Sequence, residues 1–310
     1  MLKVKDYFSL IKFSHTIFAM PFALIGFFLG LMKTDVISKD YLMSFTTGVH
    51  KDYQPINLST NQLIIKFVLV LLCMVFARSA AMAFNRYLDR RIDAKNPRTA
   101  IREIPKGIIT PKNALIFTII NCILFITTTF FINPICFYLS VVALAVVLGY
   151  SYTKRFTAFC HLILGLGLSL APIGAYLAVI GRFDLLPILF SLAVIFWVSG
   201  FDIIYALQDE EFDREQELYS IPSVVGKVKG LRISELLHLL SAVSVIFAGV
   251  YGDFGWLYWI GVLVFGGMLI YQHSVVKPND LRRVNLAFMT ANGIASVVFA
   301  VFVIADLLIF

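Results

Sequence analysis

The chain has 310 residues, 59% of them hydrophobic and 15% charged, and its mean hydropathy of +0.85 lies outside the range of soluble globular domains. A formal charge of +7 raises nucleic acid as a partner, but the basic residues fall in short segments between apolar runs, not on an aromatic-interleaved face, which excludes that class. Cys73, Cys122, Cys136 and Cys160 all lie inside apolar runs without Cys-x-x-Cys or Cys/His spacing, so neither a disulfide framework nor a zinc site is expected.

In chain order, nine apolar runs predict transmembrane helices near residues 14–33, 62–84, 113–133, 136–152, 158–180, 184–205, 233–251, 256–272 and 286–309. About 20 residues cross roughly 30 Å of hydrocarbon, and only helices satisfy every backbone group there. The expected fold is therefore an all-α, polytopic membrane bundle of nine transmembrane helices in a single domain spanning 1–310. The N-terminal segment carries Lys3, Lys5 and Lys12 and enters the first span without a small-residue cleavage site, so it is expected to be retained. The polar stretch 33–61 carries no motif. Twenty of the 26 Lys and Arg flank the N-terminal side of the spans, five (Lys33, Lys39, Lys51, Lys66 and Arg182) lie opposite, and Arg78 falls inside span two. That asymmetry predicts an N-terminus and even-to-odd loops in the cytoplasm, in the plasma membrane of a bacterium.

Spans two and six both end in acid. Ten of the 19 acidic residues lie in 85–107 and 202–217. Asn85, Asp89 and Asp93 follow one another at i+4, within about 80° of one helix face, with Arg78 on the same stripe one to two turns deeper. Asp202, Asp209 and Asp213 fall within about 40° of one face of a continuous helix. Two carboxylates 4 Å apart repel by about 4 kcal/mol at an effective dielectric of 20, so clustering them is unfavourable unless a cation lies between. Mg²⁺ suits the position: it takes a few carboxylate oxygens and completes its shell with water and phosphate. Solvated helix ends flanked by paired Arg and Lys account for one such run, less readily for two matched ones.

Basic groups follow the first acidic end and precede the second. Lys95, Arg98, Arg102 and Lys106 lie within twelve residues, where Arg suits bidentate contact with carboxylate or phosphate, although a cytoplasmic loop would hold such residues anyway. Tyr150 and Lys154, at i and i+4 between spans four and five, can grip diphosphate oxygens and assist leaving-group departure. An interfacial Tyr and a snorkelling Lys would give the same letters. His161 reads as a core histidine bonded to a backbone carbonyl.

Together these residues resemble the UbiA superfamily of intramembrane aromatic prenyltransferases, whose signatures are N-x3-D-x3-D and D-x3-D. Asn85, Asp89 and Asp93 match the first and Asp209 and Asp213 the second, with Tyr150-x3-Lys154 between them and the same span count. The resemblance implies helices around a central cavity and transfer of a polyprenyl group from its diphosphate to a 4-hydroxybenzoate-type aromatic acid, or to a naphthoate in menaquinone synthesis. By that resemblance Asp89, Asp93, Asp209 and Asp213 hold Mg²⁺, while Arg90, Lys95, Tyr150 and Lys154 bind the diphosphate. Asn85 and Asp202 would face the allylic cation or take the ring proton, and Arg98 or Arg102 would hold the acceptor carboxylate. Glu103 stands where many 4-hydroxybenzoate enzymes have Pro. A secondary transporter is the competing class, but its polar site belongs near the bilayer midplane, not at one face.

Overall fold

A computed structural model of the chain describes residues 4–11, 18–34 and 58–310. The predicted first span, 14–33, lies partly outside these residues, as does most of the polar stretch 33–61. Among the described residues there is no strand, and eight helices are long and apolar enough to cross a membrane, with the shorter apolar helix Met20–Leu31 beside them.

The helices are α1 (Val4–Leu10), α2 (Met20–Leu31), α3 (Thr60–Lys95), α4 (Pro111–Ile132), α5 (Pro134–Thr153), α6 (Cys160–Ile180), α7 (Leu185–Ala206), α8 (Glu210–Glu215), α9 (Ile221–Tyr251), α10 (Trp256–Val275) and α11 (Asn292–Ile309). Their starts follow local chemistry. Ser59 and Ser220 make capping boxes with Gln62 and Ser223 at the heads of α3 and α9, and Pro opens α4 and α5. Asn133 ends α4 and caps α5, accepting from the Cys136 amide at 2.9 Å.

Two boundaries differ from the apolar runs. Helix α3 continues eleven residues past the predicted end at 84, and α9 begins twelve before the predicted start at 233. Hydropathy marks where lipid ends, not where the helix does: the extra turns carry Arg86, Arg90 and Arg91 in one case and Lys227, Lys229 and Arg232 in the other. The added turn of α9 bends at Gly226, whose φ of 81° favours glycine. The expected unbroken acidic helix after span six is also interrupted, by a 3-10 turn at Leu207–Asp209.

Small residues set the crossings, as expected where lipid supplies no hydrophobic drive between helices. Gly26 of α2 lies directly against the Pro172 carbonyl of α6, and a Cβ on Gly165 of α6 would meet the Ile195 carbonyl oxygen of α7 at 2.5 Å. The two halves of the bundle are filled differently. Between α2, α7, α10 and α11, Phe22, Phe190, Trp197, Tyr258, Phe265 and Phe299 are fully buried and stack on one another. Asn292 organises this half, accepting from Trp197 Nε1 at 2.8 Å and Gln272 Nε2 at 2.9 Å. Its Nδ2 donates to the Phe288 carbonyl at 3.0 Å, in the π-helical turn that precedes α11. Between α3, α4, α5 and α6 the interior instead remains open as an apolar cavity of about 360 Å³.

Candidate active site

The ends of α3 and α5 and the α7–α8 turn converge at one end of the bundle on a polar cavity of about 220 Å³. Ten of the twelve site residues expected from the sequence line it: Asn85, Asp89, Asp93, Arg98, Arg102, Tyr150, Lys154, Asp202, Asp209 and Asp213. Arg90 and Lys95 do not. Arg90 donates to the Tyr87 carbonyl at 2.6 Å and covers that ring, while Lys95 reaches out to Gln216 Oε1 at 2.9 Å. On a helix at 100° per residue, each lies off the stripe that carries Asn85, Asp89 and Asp93.

Each signature carboxylate meets a cation. Arg155 Nη2 lies 2.6 Å from Asp89 Oδ1, and Arg102 Nη1 lies 2.6 Å from Asp93 Oδ1. Arg98 forks onto Asp209, donating from Nε at 2.9 Å and also from Nη2, while Asn96 Nδ2 adds a third donor at 3.0 Å. Lys154 Nζ lies 2.7 Å from Asp213 Oδ1, and Asn85 Nδ2 donates to Asp89 Oδ2 at 3.0 Å. Burial disfavours the Lys154 ammonium, but Asp213 and then Asp209 outweigh it and hold its pKa above the ordinary lysine value. Lys154 therefore remains charged throughout the neutral range.

Among the described residues no three carboxylates are gathered closely enough to hold a metal ion, each signature Asp being turned to its own cation, but the donor types suit a hard cation. Asp93 is 4% and Asp213 0% exposed, and the Oδ2 of each is buried without a hydrogen-bond partner. Such oxygens are costly unless something charged meets them, and all-carboxylate oxygen donors beside a basic rim match the preference of Mg²⁺ in the presence of phosphate.

Three further groups became visible only in three dimensions. Arg155 and Asn96 contact the Asp pairs directly, as above. His161 lies not against a carbonyl but 2.6 Å, through Nδ1, from Asp202 Oδ2, and its Nε2 accepts from the Ile221 amide at 3.3 Å. That amide leaves the ring proton on Nδ1, aimed at Asp202. Glu103 does not face the cavity: it is buried, accepts a hydrogen bond from Ser9 of α1, and fastens the loop after α3.

Tyr150 lines both the polar cavity and the apolar one, and so does Leu164. Arg78 lines the apolar cavity, about 10 Å deeper along α3 than Asn85. Its Nε is buried without a hydrogen-bond partner, and no carboxylate among the described residues pairs with it.

The sequence profile of the UbiA prenyltransferase family matches residues 57–294. The 4-hydroxybenzoate octaprenyltransferase of Tolumonas auensis is 30% identical, over 72% of this chain and 78% of its own length. The protein of the same name from Saccharophagus degradans is 28% identical, over 75% and 77%. Among solved structures, the apo UbiA homolog from Aeropyrum pernix K1 is similar with a TM-score of 0.74 at 25% identity, covering 94% of this chain and 96% of that one. A UbiA homolog from Archaeoglobus fulgidus bound to DMAPP and Mg²⁺ has the same fold, with a TM-score of 0.69 at 18% identity, covering 98% and 100%.

Proposed function

Because the chain belongs to the UbiA prenyltransferase family, we propose that this integral membrane prenyltransferase moves a polyprenyl group from its diphosphate, with Mg²⁺, onto a 4-hydroxybenzoate-type acid in ubiquinone synthesis. The observation that carries this reading is the junction at Tyr150 of a carboxylate-lined polar cavity with an apolar one, since the donor substrate has the same two parts. The acceptor class is taken from the named relatives.

In this reading Asp89, Asp93, Asp209 and Asp213 would hold Mg²⁺, which when bound would neutralise the diphosphate. Lys154, Arg155, Arg98 and Arg102 exchange their carboxylate partners in part for phosphate oxygens, a change of anion at nearly fixed charge. Tyr150, at the junction of the two cavities, would donate its hydroxyl hydrogen to the bridging oxygen as the carbon–oxygen bond breaks. The allylic carbon then bonds to the ring carbon beside the phenol, the diphosphate leaves, and the ring proton passes to Asp202, which His161 orients. Asn85 lies beside Asp89 within reach of the developing cation.

Because Arg98 and Arg102 turn to the diphosphate in this reading, we assign the acceptor carboxylate to Arg78, a cation of α3 that lines the apolar cavity and whose Nε is buried without a hydrogen-bond partner. The positive-inside asymmetry supports our assignment of the site to the cytoplasmic face of a bacterial plasma membrane.

Purified membranes should be offered 4-hydroxybenzoate, a dihydroxynaphthoate and a phenol lacking a carboxylate, each with labelled prenyl diphosphates, with Mg²⁺ or with chelator. The expected product is prenylated 4-hydroxybenzoate, formed only with Mg²⁺ and lost in Asp89→Ala and Asp209→Ala although both variants insert. Turnover in either variant or in chelator overturns the metal–diphosphate site; prenylation of the naphthoate alone overturns the acceptor.

A further inference from the structure

We propose that Lys66 and Asn133 form a polar floor that closes the apolar cavity at its end remote from the carboxylates, and so set the length of isoprenoid tail the bundle holds. The inference rests on the prenyl diphosphate reading above and adds the determinant of tail length.

The cavity starts at Tyr150 and Leu164, where it adjoins the polar site, and reaches Val70, Ile132, Cys136 and Leu177. Behind those lining residues, and adjacent to them in the chain or one helical turn away, stand polar groups. Lys66 Nζ donates to the Ile132 carbonyl at 3.2 Å and to the Ala178 carbonyl at 2.6 Å. Asn133 Nδ2 donates to the Leu177 carbonyl at 2.8 Å and to that of Ala178 at 3.3 Å. Helix α4 ends at Ile132 and α6 at Ile180, so the Ile132 and Ala178 oxygens belong to last turns that lack an intrahelical donor, while the Leu177 oxygen also accepts from the Gly181 amide at 2.9 Å. Two side chains thus tie the ends of α4 and α6 to each other and to α3.

A hydrocarbon chain advancing from Tyr150 would have to strip an ammonium and an amide of these carbonyls to go further. Leaving such groups unpaired in apolar surroundings is costly, whereas folding the tail back is not. Along α3 the path from Arg78 to Lys66 is twelve residues, about 18 Å, which holds a few extended isoprene units. A longer tail must fold back or leave between helices.

A purely structural role for Lys66, as a tie between helix ends, would lower stability without altering tail preference, so preference is the quantity to measure. Geranyl, farnesyl, geranylgeranyl and octaprenyl diphosphates should be titrated with Mg²⁺ into the purified full-length protein, reading apparent Kd from thermal stabilisation. Lys66→Met keeps the stem and removes the donors; Cys73→Phe fills the cavity nearer Tyr150. The ratio of octaprenyl to farnesyl affinity should rise about tenfold in Lys66→Met and fall by a similar factor in Cys73→Phe, the discrimination that one or two methylenes supply in an apolar pocket. An unchanged ratio in Lys66→Met overturns the floor, and an unchanged ratio in Cys73→Phe overturns the cavity as the site of the tail. If Lys66→Met does not accumulate, Asn133→Ser, which keeps a capping oxygen for α5 and removes the other donor, is read in its place, and an unchanged ratio there has the same force. Because binding is read without an acceptor, failure of every acceptor to turn over would count against the acceptor assignment while the tail preference is still decided.

Discussion

Among single residues, Arg78 is the one whose role in acceptor binding is most directly measurable. A guanidinium inside a span with a buried, unpartnered Nε is stable only if something meets it, and the cavity it lines adjoins the site at Tyr150. Arg78→Leu should raise KM for the acid acceptor about 10- to 100-fold, the range expected for losing a charged hydrogen bond of about 1.5–3 kcal/mol. The same variant should leave KM for a phenol without a carboxylate unmoved. Equal effects on both acceptors, measured by initial rates, would remove Arg78 from the acceptor site. The signature residues were legible in the sequence because a helix fixes i+4 neighbours on one face. Arg155 was hidden beside Lys154, in a loop where topology already calls for basic residues. The pairings of Arg98 with Asp209 and His161 with Asp202 join distant parts of the chain, which no local spacing reports.

At the scale of elements, the spans were readable because apolar length reports lipid thickness, while their extensions beyond it were not. The eleven extra residues of α3 carry all of Asn85, Asp89 and Asp93, so the part of the helix that lipid does not dictate is the part that bears the signature. The 3-10 turn at Leu207–Asp209 escaped for a different reason: nothing in Leu-Gln-Asp breaks a helix, and Arg98 and Asn96 hold Asp209 from another segment. Helix crossings offer a direct check. A methyl on Gly26 would overlap the Pro172 carbonyl oxygen, and backbone on both sides leaves no flexible neighbour to yield. Gly26→Ala should therefore destabilise the detergent-solubilised protein by about 1–3 kcal/mol or more, whereas Gly174→Ala, with open space around it, should not. Thermal unfolding of the two side by side tests this, and equal midpoints would mean that α2 and α6 can part at little cost.

At the scale of the whole molecule, one asymmetry of charge and one of filling remain. Twenty Lys and Arg on the side of the site against five on the other predict that single cysteines at Lys106 and Lys229, in a background lacking the four native ones, react with an impermeant thiol reagent only from the cytoplasmic side. Labelling from outside in sealed cells would invert the bundle. The difference in filling has another consequence. Stiffness resides in the aromatic half, where Trp197, Gln272 and Asn292 lock α7, α10 and α11 together, and capacity for a guest resides in the hollow half between α3 and α6. A lineage could therefore alter which guest it admits by changing residues of the hollow half, without touching those that keep the frame rigid.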